Sequence, residues 1–136
     1  MKKEDLINIA KNAKKNAFAN VTGYKVGAAL LTSSKTVYIG VNIEEPSILG
    51  LSNCAERVAI QNALSHGERG FEAIAVVGSK DDNFFDNTLV PCGTCLQYIL
   101  DMCGNVDIIT YIDGNIVSKK VKDFLNFPYE FKKNNF

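Results

Sequence analysis

Two short motifs in this sequence carry the residues best suited to chemistry. Cys54 and Glu56 lie within Cys-Ala-Glu-Arg, and Cys92 and Cys95 lie within Pro-Cys-Gly-Thr-Cys. The second pair has the Cys-x-x-Cys spacing that places both thiols on one face of a first helical turn, where they can chelate a metal. A third thiol from Cys54 would leave the fourth tetrahedral position of zinc free for water, which is typical of a catalytic site.

Glu56 and Arg57 are the charged neighbours of these thiols. Zinc would lower the pKa of bound water toward ~7, so that a hydroxide nucleophile exists at neutral pH. Hydrolysis then also needs a group beside the metal that moves protons without ligating the metal. Glu56, two residues after Cys54, is the candidate for that catalytic role. Arg57 is expected to offset the negative charge of the thiolates, and helix N-termini beneath the sulfurs would favour thiolate over thiol.

Other interpretations of the cysteines remain open at this point. Cys92 and Cys95 alone are also compatible with a redox pair. A zinc-stabilised binding module without catalysis would normally use four protein ligands, and Cys103 is the only further cysteine. We interpret Cys103 as a small apolar residue on its helix, and the single histidine, His66, as a structural residue at a helix end.

Composition narrows the class of protein. The chain has 136 residues, with 15 basic residues balancing 15 acidic ones. This balance favours a small neutral substrate and argues against nucleic acid, as does the lack of basic clusters interleaved with aromatic residues. We find no signal-peptide pattern and no apolar run near the roughly 18 to 20 residues that span a bilayer, so we expect a single domain over residues 1–136, cytoplasmic and without membrane contact.

Hydrophobic periodicity predicts an α/β fold, with a mixed sheet between helices. An amphipathic helix over 6–18 is followed by a hairpin of strands 26–31 and 37–41, and Asn53 is a plausible N-cap for the helix that carries Glu56. The remaining expected elements are a buried strand (73–78), a helix after Pro91 ending at Gly104, a strand (106–112), a turn (113–115), a short return strand (116–117) and a last short helix (121–125).

Taken together, these motifs resemble those of the short, homotetrameric cytidine deaminases. The resemblance runs from about Tyr24 to Phe131. It is carried by Tyr24-Lys25-Val26-Gly27-Ala28-Ala29-Leu30, Val41-Asn42-Ile43-Glu44, Asn53-Cys54-Ala55-Glu56-Arg57, Pro91-Cys92-Gly93-Thr94-Cys95 and Phe127-Pro128-Tyr129-Glu130-Phe131. The pattern of a cysteine followed by x-Glu and later by Pro-Cys-x-x-Cys is that of the zinc deaminases.

The resemblance implies a fold, an activity and a set of site residues. It implies a three-layer α/β/α sandwich with about five strands, and zinc-dependent deamination of cytidine and deoxycytidine, with one zinc ion per chain. Asn42 and Glu44 would bind the sugar, Ala55 and Tyr24 would line the pocket, and Phe131 would reach a neighbouring subunit's pocket in a homotetramer.

Four positions depart from the family pattern. Glu45-Pro46 replaces the usual Asn-Ala, Leu96 stands where Arg is frequent, and Tyr24 stands where Phe is common. These departures leave open a related substrate, such as a nucleoside antibiotic of the blasticidin type.

Overall fold

The structure is a computed structural model that describes residues 1–130. Within that part of the chain, helices and strands follow the predicted order α-β-β-α-β-α-β-β-α. The helices are α1 (Lys3–Lys14), α2 (Ala55–Ser65), α3 (Gly93–Cys103) and α4 (Val121–Phe124), and the strands are β1 (Lys25–Thr32), β2 (Val37–Val41), β3 (Phe71–Ser79), β4 (Asp107–Ile112) and β5 (Asn115–Lys120). A 3-10 turn, Leu49–Leu51, lies in the expected loop before α2.

The five strands form one mixed sheet in the order β2-β1-β3-β4-β5. Strands β3 and β4 are parallel, and the other neighbouring pairs are antiparallel. The β4-β5 hairpin turns at Asp113 and Gly114, whose φ angles of 50° and 80° suit the primed turns that match strand twist. The predicted hairpins and the α/β class are therefore confirmed.

Alternating side chains of β1 divide the core into two layers. Ala29 and Leu31 pack with Leu6, Ile7 and Ala10 of α1 on one face of the sheet. Ala28 and Leu30 belong to a second apolar cluster, built with α2, α3 and α4 on the opposite face. This alternation, which follows from the two-residue period of a strand, produces the predicted three-layer sandwich.

Two glycines allow helices to approach the sheet closely. A Cβ at Gly27 would fall well inside van der Waals contact with the carbonyl of Ala10 in α1. A Cβ at Gly40 would meet the carbonyl of Ala55 and the backbone of Ala59 in α2 in the same way. Because Gly40 has no side chain, the first turn of α2, which carries Glu56, can lie close to β2.

Several predicted boundaries were wrong by a few residues. Helix α1 ends at Lys14 and not at Phe18, because Phe18 instead forms a β-bridge with Ile43. The N-cap of α2 is Cys54 and not Asn53, whose backbone pairs with Ile43. Strand β5 is longer than expected, because its ladder with β4 continues to Lys120. Among the described helices, none is long and apolar enough to cross a membrane.

Candidate active site

One cavity of about 500 Å³ contains most of the predicted site residues. Its volume is in the range usual for small-molecule sites. It is lined by Cys54, Cys92, Cys95, Ala55, Glu56, Arg57, Asn42 and Glu44, together with the apolar and small residues Val26, Leu49, Gly50, Ser52, Asn53, Val76, Leu89, Val90 and Pro91. Residues far apart in the sequence thus meet because α2 and α3 lie side by side on the same face of the sheet.

Helix beginnings hold all three thiols. Cys54 is the N-cap of α2 and Cys92 the N-cap of α3, each in an extended conformation, while Cys95 lies in the first turn of α3. Neither N-cap cysteine makes a side-chain capping bond, and all three thiols are free. The positive ends of two helix dipoles therefore lie beside the sulfurs, a position typical of cysteines that bind metal.

The sulfur of Cys54 is stabilised as an anion by two neighbours. The Cys95 thiol, as a hydrogen-bond donor, and the Arg57 guanidinium lower the pKa of Cys54 to about 5. Arg57 donates from Nη2 to Cys54 Sγ at 3.3 Å. Cys95 is buried, and the hydrogen bond to Cys54 together with desolvation raises the pKa of Cys95. Cys54 is therefore the sulfur on which the negative charge is supported by both neighbours.

The donor set agrees with zinc in its chemistry. Three thiols with an adjacent guanidinium suit a soft divalent cation, and three protein ligands leave a position for water. As the side chains stand, no three His, Cys, Asp or Glu residues within 1–130 are grouped tightly enough to enclose an ion. The three cysteines therefore fit zinc because their donor atoms are sulfurs and because they line the same cavity.

The carboxyl group of Glu56 is almost completely shielded from water. It is 5% exposed and lies in the first turn of α2. Desolvation by burial, reinforced by the negative charge of Cys54, raises the pKa of Glu56 above its usual value. A carboxyl group in such surroundings exchanges its proton nearer to neutral pH than an exposed one, which is the property required of a general acid and base.

The amide of Asn42 is fixed by the strand that runs beside it. Its Oδ1 accepts a hydrogen bond from the Val26 N–H at 2.8 Å, and its Nδ2 donates to the Tyr24 carbonyl at 2.7 Å. These two bonds define which end of the amide is donor and which is acceptor. One N–H and one lone pair remain for the cavity.

Glu44 is anchored in a similar way to the segment before β1. Its Oε1 accepts the N–H groups of Val21 and Thr22, each at 3.0 Å, and its Oε2 accepts the Thr22 hydroxyl at 2.6 Å. The Thr22 side chain is the main reason that the pKa of Glu44 is lowered. Glu44 is therefore a fixed carboxylate at the cavity wall.

Of two further predicted pocket residues, one is not part of the cavity lining and the other is not described. Tyr24 is not among the cavity-lining residues: its ring lies over Gly78, and its hydroxyl donates to Asp86 Oδ2 at 2.6 Å. Phe131 lies outside the described residues. Among the other departures from the family pattern, Glu45 accepts the N–H groups of Ser47 and Ile48 in its own loop, and Leu96 is buried in the core.

The sequence did not predict the apolar wall of the cavity. Leu89 and Val90 line it from the segment before α3, and Leu49 lines it from the 3-10 turn. None of these residues belongs to a periodic pattern. The only available signal was their position directly before the two cysteine motifs.

Known proteins resemble this chain along most of its length. Residues 1–111 match the family described as "Cytidine and deoxycytidylate deaminase zinc-binding region". A cytidine deaminase of Sporosarcina psychrophila is 38% identical over 132 residues, which cover 96% of this chain and 91% of that protein. A cytidine deaminase of Halalkalibacterium halodurans is 40% identical over 103 residues, covering 76% and 74% of the two chains.

A solved structure shows the same fold. The crystal structure of cytidine deaminase from Burkholderia pseudomallei superposes with a TM-score of 0.84 at 36% identity, covering 95% of this chain and all of that one. A blasticidin-S deaminase of Bacillus cereus is a more distant relative, 27% identical over 78% of this chain and 77% of that protein. The cysteine motifs, the shared cavity and these similarities agree, and the chain belongs to the cytidine and deoxycytidylate deaminase zinc-binding family.

Proposed function

We propose that this protein hydrolyses cytidine and deoxycytidine to uridine and deoxyuridine, with release of ammonia. The observation that supports this most directly is the buried carboxyl group of Glu56 in the cavity that also contains three thiols. Zinc held by Cys54, Cys92 and Cys95, one ion per chain, would supply the Lewis acid that makes water nucleophilic at neutral pH.

Glu56 is proposed to carry the protons of this reaction. Replacing an amino group with oxygen consumes one water molecule, and the ring nitrogen and then the leaving amine must each receive a proton. The Glu56 carboxylate would take the two protons of the water molecule one after the other and pass the first to the ring nitrogen and the second to the leaving amine, so that it ends as the carboxylate it was at the start. Its raised pKa suits both halves of that cycle.

Asn42 and Glu44 are proposed to hold the ribose. Both side chains line the cavity, and both are oriented by hydrogen bonds to residues 21–26. A fixed carboxylate beside a fixed amide offers acceptors and a donor to sugar hydroxyls. Ala55 would pack against the base, since it lines the cavity between Cys54 and Glu56.

A spectrophotometric assay tests this proposal directly. Deamination of cytidine lowers its ultraviolet absorbance, and released ammonia gives an independent measurement. We expect turnover with cytidine and deoxycytidine by zinc-loaded protein. Absence of ammonia from both substrates would reject the proposed activity.

The related substrate of the blasticidin type is a second enzyme candidate. Its support is the similarity to a blasticidin-S deaminase, which is lower than the similarity to the cytidine deaminases. Comparing ammonia release from cytidine and blasticidin S under equal conditions separates the two. We expect cytidine to be the better substrate.

We also propose that the chain acts as a cytoplasmic homotetramer in pyrimidine salvage, with Phe131 completing a neighbour's pocket. Beside the family resemblance, support comes from the 3-10 turn that contributes Leu49 to the cavity lining, where Ile48, Leu49 and Leu51 are 59%, 64% and 68% exposed. Such apolar side chains are expected to be covered by another subunit. Light scattering after size exclusion should give four times the mass of 14.9 kDa, and a single-chain mass would contradict the assembly.

A further inference from the structure

Tyr24 lies at the centre of the segment that orients both polar side chains of the cavity. Its carbonyl accepts from Asn42 Nδ2 at 2.7 Å, and its N–H donates to Thr22 Oγ1 at 3.0 Å. That same Thr22 hydroxyl donates to Glu44. A shift of the Tyr24 backbone would therefore disturb the amide of Asn42 on one side and the carboxylate of Glu44 on the other.

The side chain of Tyr24 is attached to a different part of the fold. Its hydroxyl donates to Asp86 Oδ2 at 2.6 Å, and its ring fills the space above Gly78, where a Cβ would fall 2.9 Å from Cε1. The Asp86 N–H donates to the Gly78 carbonyl at 2.7 Å, which ties the loop after β3 to that strand. Desolvation and the carboxylate of Asp86 raise the pKa of Tyr24, so the hydroxyl keeps its proton at neutral pH.

We propose that Asp86 and the Tyr24 hydroxyl form a positioning pair that sets the geometry of Asn42 and Glu44, and hence the affinity for the sugar of the substrate. This inference rests on the proposed function. The pair contacts no reacting atom: it acts by holding the backbone to which the two sugar-binding candidates are bound. Asp86 lies outside every motif that suggested the activity, so its role is visible only in the folded chain.

Steady-state kinetics can detect such a positioning pair. Loss of a positioning contact for the sugar should raise KM while leaving the proton transfer by Glu56 intact, because Glu56 is on α2 and makes no hydrogen bond to this segment among those described. Asp86 is exposed, so water competes for its hydrogen bond, and we expect KM to rise by roughly 3- to 10-fold. The turnover number should stay within about twofold.

Tyr24→Phe and Asp86→Asn are the test variants, because each alters a single polar contact and keeps the shape of the side chain. Tyr38→Phe is the matched control: Tyr38 also donates to a carboxylate, Glu68, at 3.5 Å, but it is absent from the cavity lining. KM and kcat are measured for cytidine and for 2′,3′-dideoxycytidine, which lacks the 2′ and 3′ hydroxyls of the sugar. The two test variants should lose the preference for cytidine, and the control should retain it.

A double-mutant cycle separates positioning from a general loss of stability. In an Asn42→Ala background, Tyr24→Phe should no longer change KM to the same extent, because one of the groups that it positions is gone. Unchanged KM and unchanged sugar preference in both single variants would overturn the proposal. Full additivity of Tyr24→Phe with both Asn42→Ala and Glu44→Ala would also overturn it.

A spectroscopic measurement tests the positioning pair independently of the proposed activity. The side-chain NH2 resonances of Asn42 in a ¹⁵N-edited spectrum report its hydrogen bonds without any substrate. They should shift in Tyr24→Phe and Asp86→Asn and stay in place in Tyr38→Phe, and unshifted resonances in both test variants would contradict the pair. If the wild-type protein does not deaminate cytidine, the proposed function fails while this measurement still decides whether the pair positions Asn42.

Discussion

Arg57 donates a hydrogen bond from Nη2 to the sulfur of Cys54 at 3.3 Å, across a single turn of helix α2. The ligand candidate and its counter-charge are therefore held by the same turn, next to Glu56. The Nε of Arg57 is buried without a hydrogen-bond partner among the described residues, so within that part of the chain the bond to Cys54 Sγ is the side-chain hydrogen bond that orients the guanidinium. This contact partly neutralises the charge that three thiolates would bring to one divalent ion.

Removal of the guanidinium should weaken metal binding. We expect Arg57→Gln to lower the affinity for zinc by about 10- to 100-fold, the range typical of groups that support metal ligands. Competition with a chromogenic chelator measures the effect. Arg69→Gln is the matched control, since Arg69 binds only the carbonyls of Leu64 and Glu68 among the described residues, and it should bind zinc as the wild type does.

The carboxyl group of Glu56 can be tested by an isosteric change. Glu56→Gln should lower kcat for cytidine by about 10²- to 10⁴-fold, because an amide cannot cycle a proton between water and the leaving group. Zinc content, measured by elemental analysis, should stay at the wild-type value, since Glu56 is not a proposed ligand. Substantial turnover in this variant would remove Glu56 from the mechanism.

The cysteines divide into three proposed ligands and one core residue. Cys54→Ser, Cys92→Ser and Cys95→Ser should each lose zinc and activity. Cys103→Ser should keep both, because the Cys103 thiol is absent from the cavity and burial raises its pKa to about 12. If Cys103→Ser instead released the metal, a closed four-ligand site and a non-catalytic module would become the better interpretation.

Gly40 should tolerate no side chain. Gly40→Ala is expected to lower the free energy of unfolding by about 1–3 kcal/mol, because the new methyl group would push against the backbone at the start of α2. Chemical denaturation gives this value, and zinc affinity should fall with it. Gly50→Ala is the control, since no atom of the residues within 1–130, its chain neighbours aside, lies within 4 Å of the position that its new methyl group would take, and its unfolding free energy should change by less than about 0.5 kcal/mol.

Glu44 should contribute to stability in a pH-dependent way. Hydrogen bonds from Thr22 lower its pKa in the folded protein, so its contribution is complete above the ordinary value of 4.5 and is lost as the pH falls through the lowered folded value. The wild type should thus exceed Glu44→Gln in unfolding free energy at pH 7, and the difference should shrink below pH 4.5.

Denaturant titrations across that pH range test the prediction for Glu44. Thr22→Val, which removes the hydroxyl bound to Glu44 Oε2, should reduce the same difference. A difference between wild type and Glu44→Gln that stays constant from neutral pH to well below 4.5 would contradict the prediction.

Local patterns in the sequence were sufficient for the fold class and for the candidate zinc ligands. The alternation of apolar residues in β1 and the spacing of Cys92 and Cys95 are short-range features, and short-range geometry follows directly from the periods of strands and helices. The proposed ligands, Glu56 and Arg57 could be selected for the same reason, since each lies within a few residues of another member of its motif. Helix boundaries were less well predicted, because long-range bridges such as Phe18 with Ile43 decided where elements end.

Only the tertiary structure decided how the cavity is walled and how its polar groups are held. Leu49, Leu89 and Val90 meet the cysteine motifs because the sheet brings distant segments to the ends of α2 and α3. The hydrogen bond from Tyr24 to Asp86 joins residues 62 positions apart, and no sequence period relates them. Contacts of this kind depend on how layers pack, and packing is a property of the whole chain that local spacing does not encode.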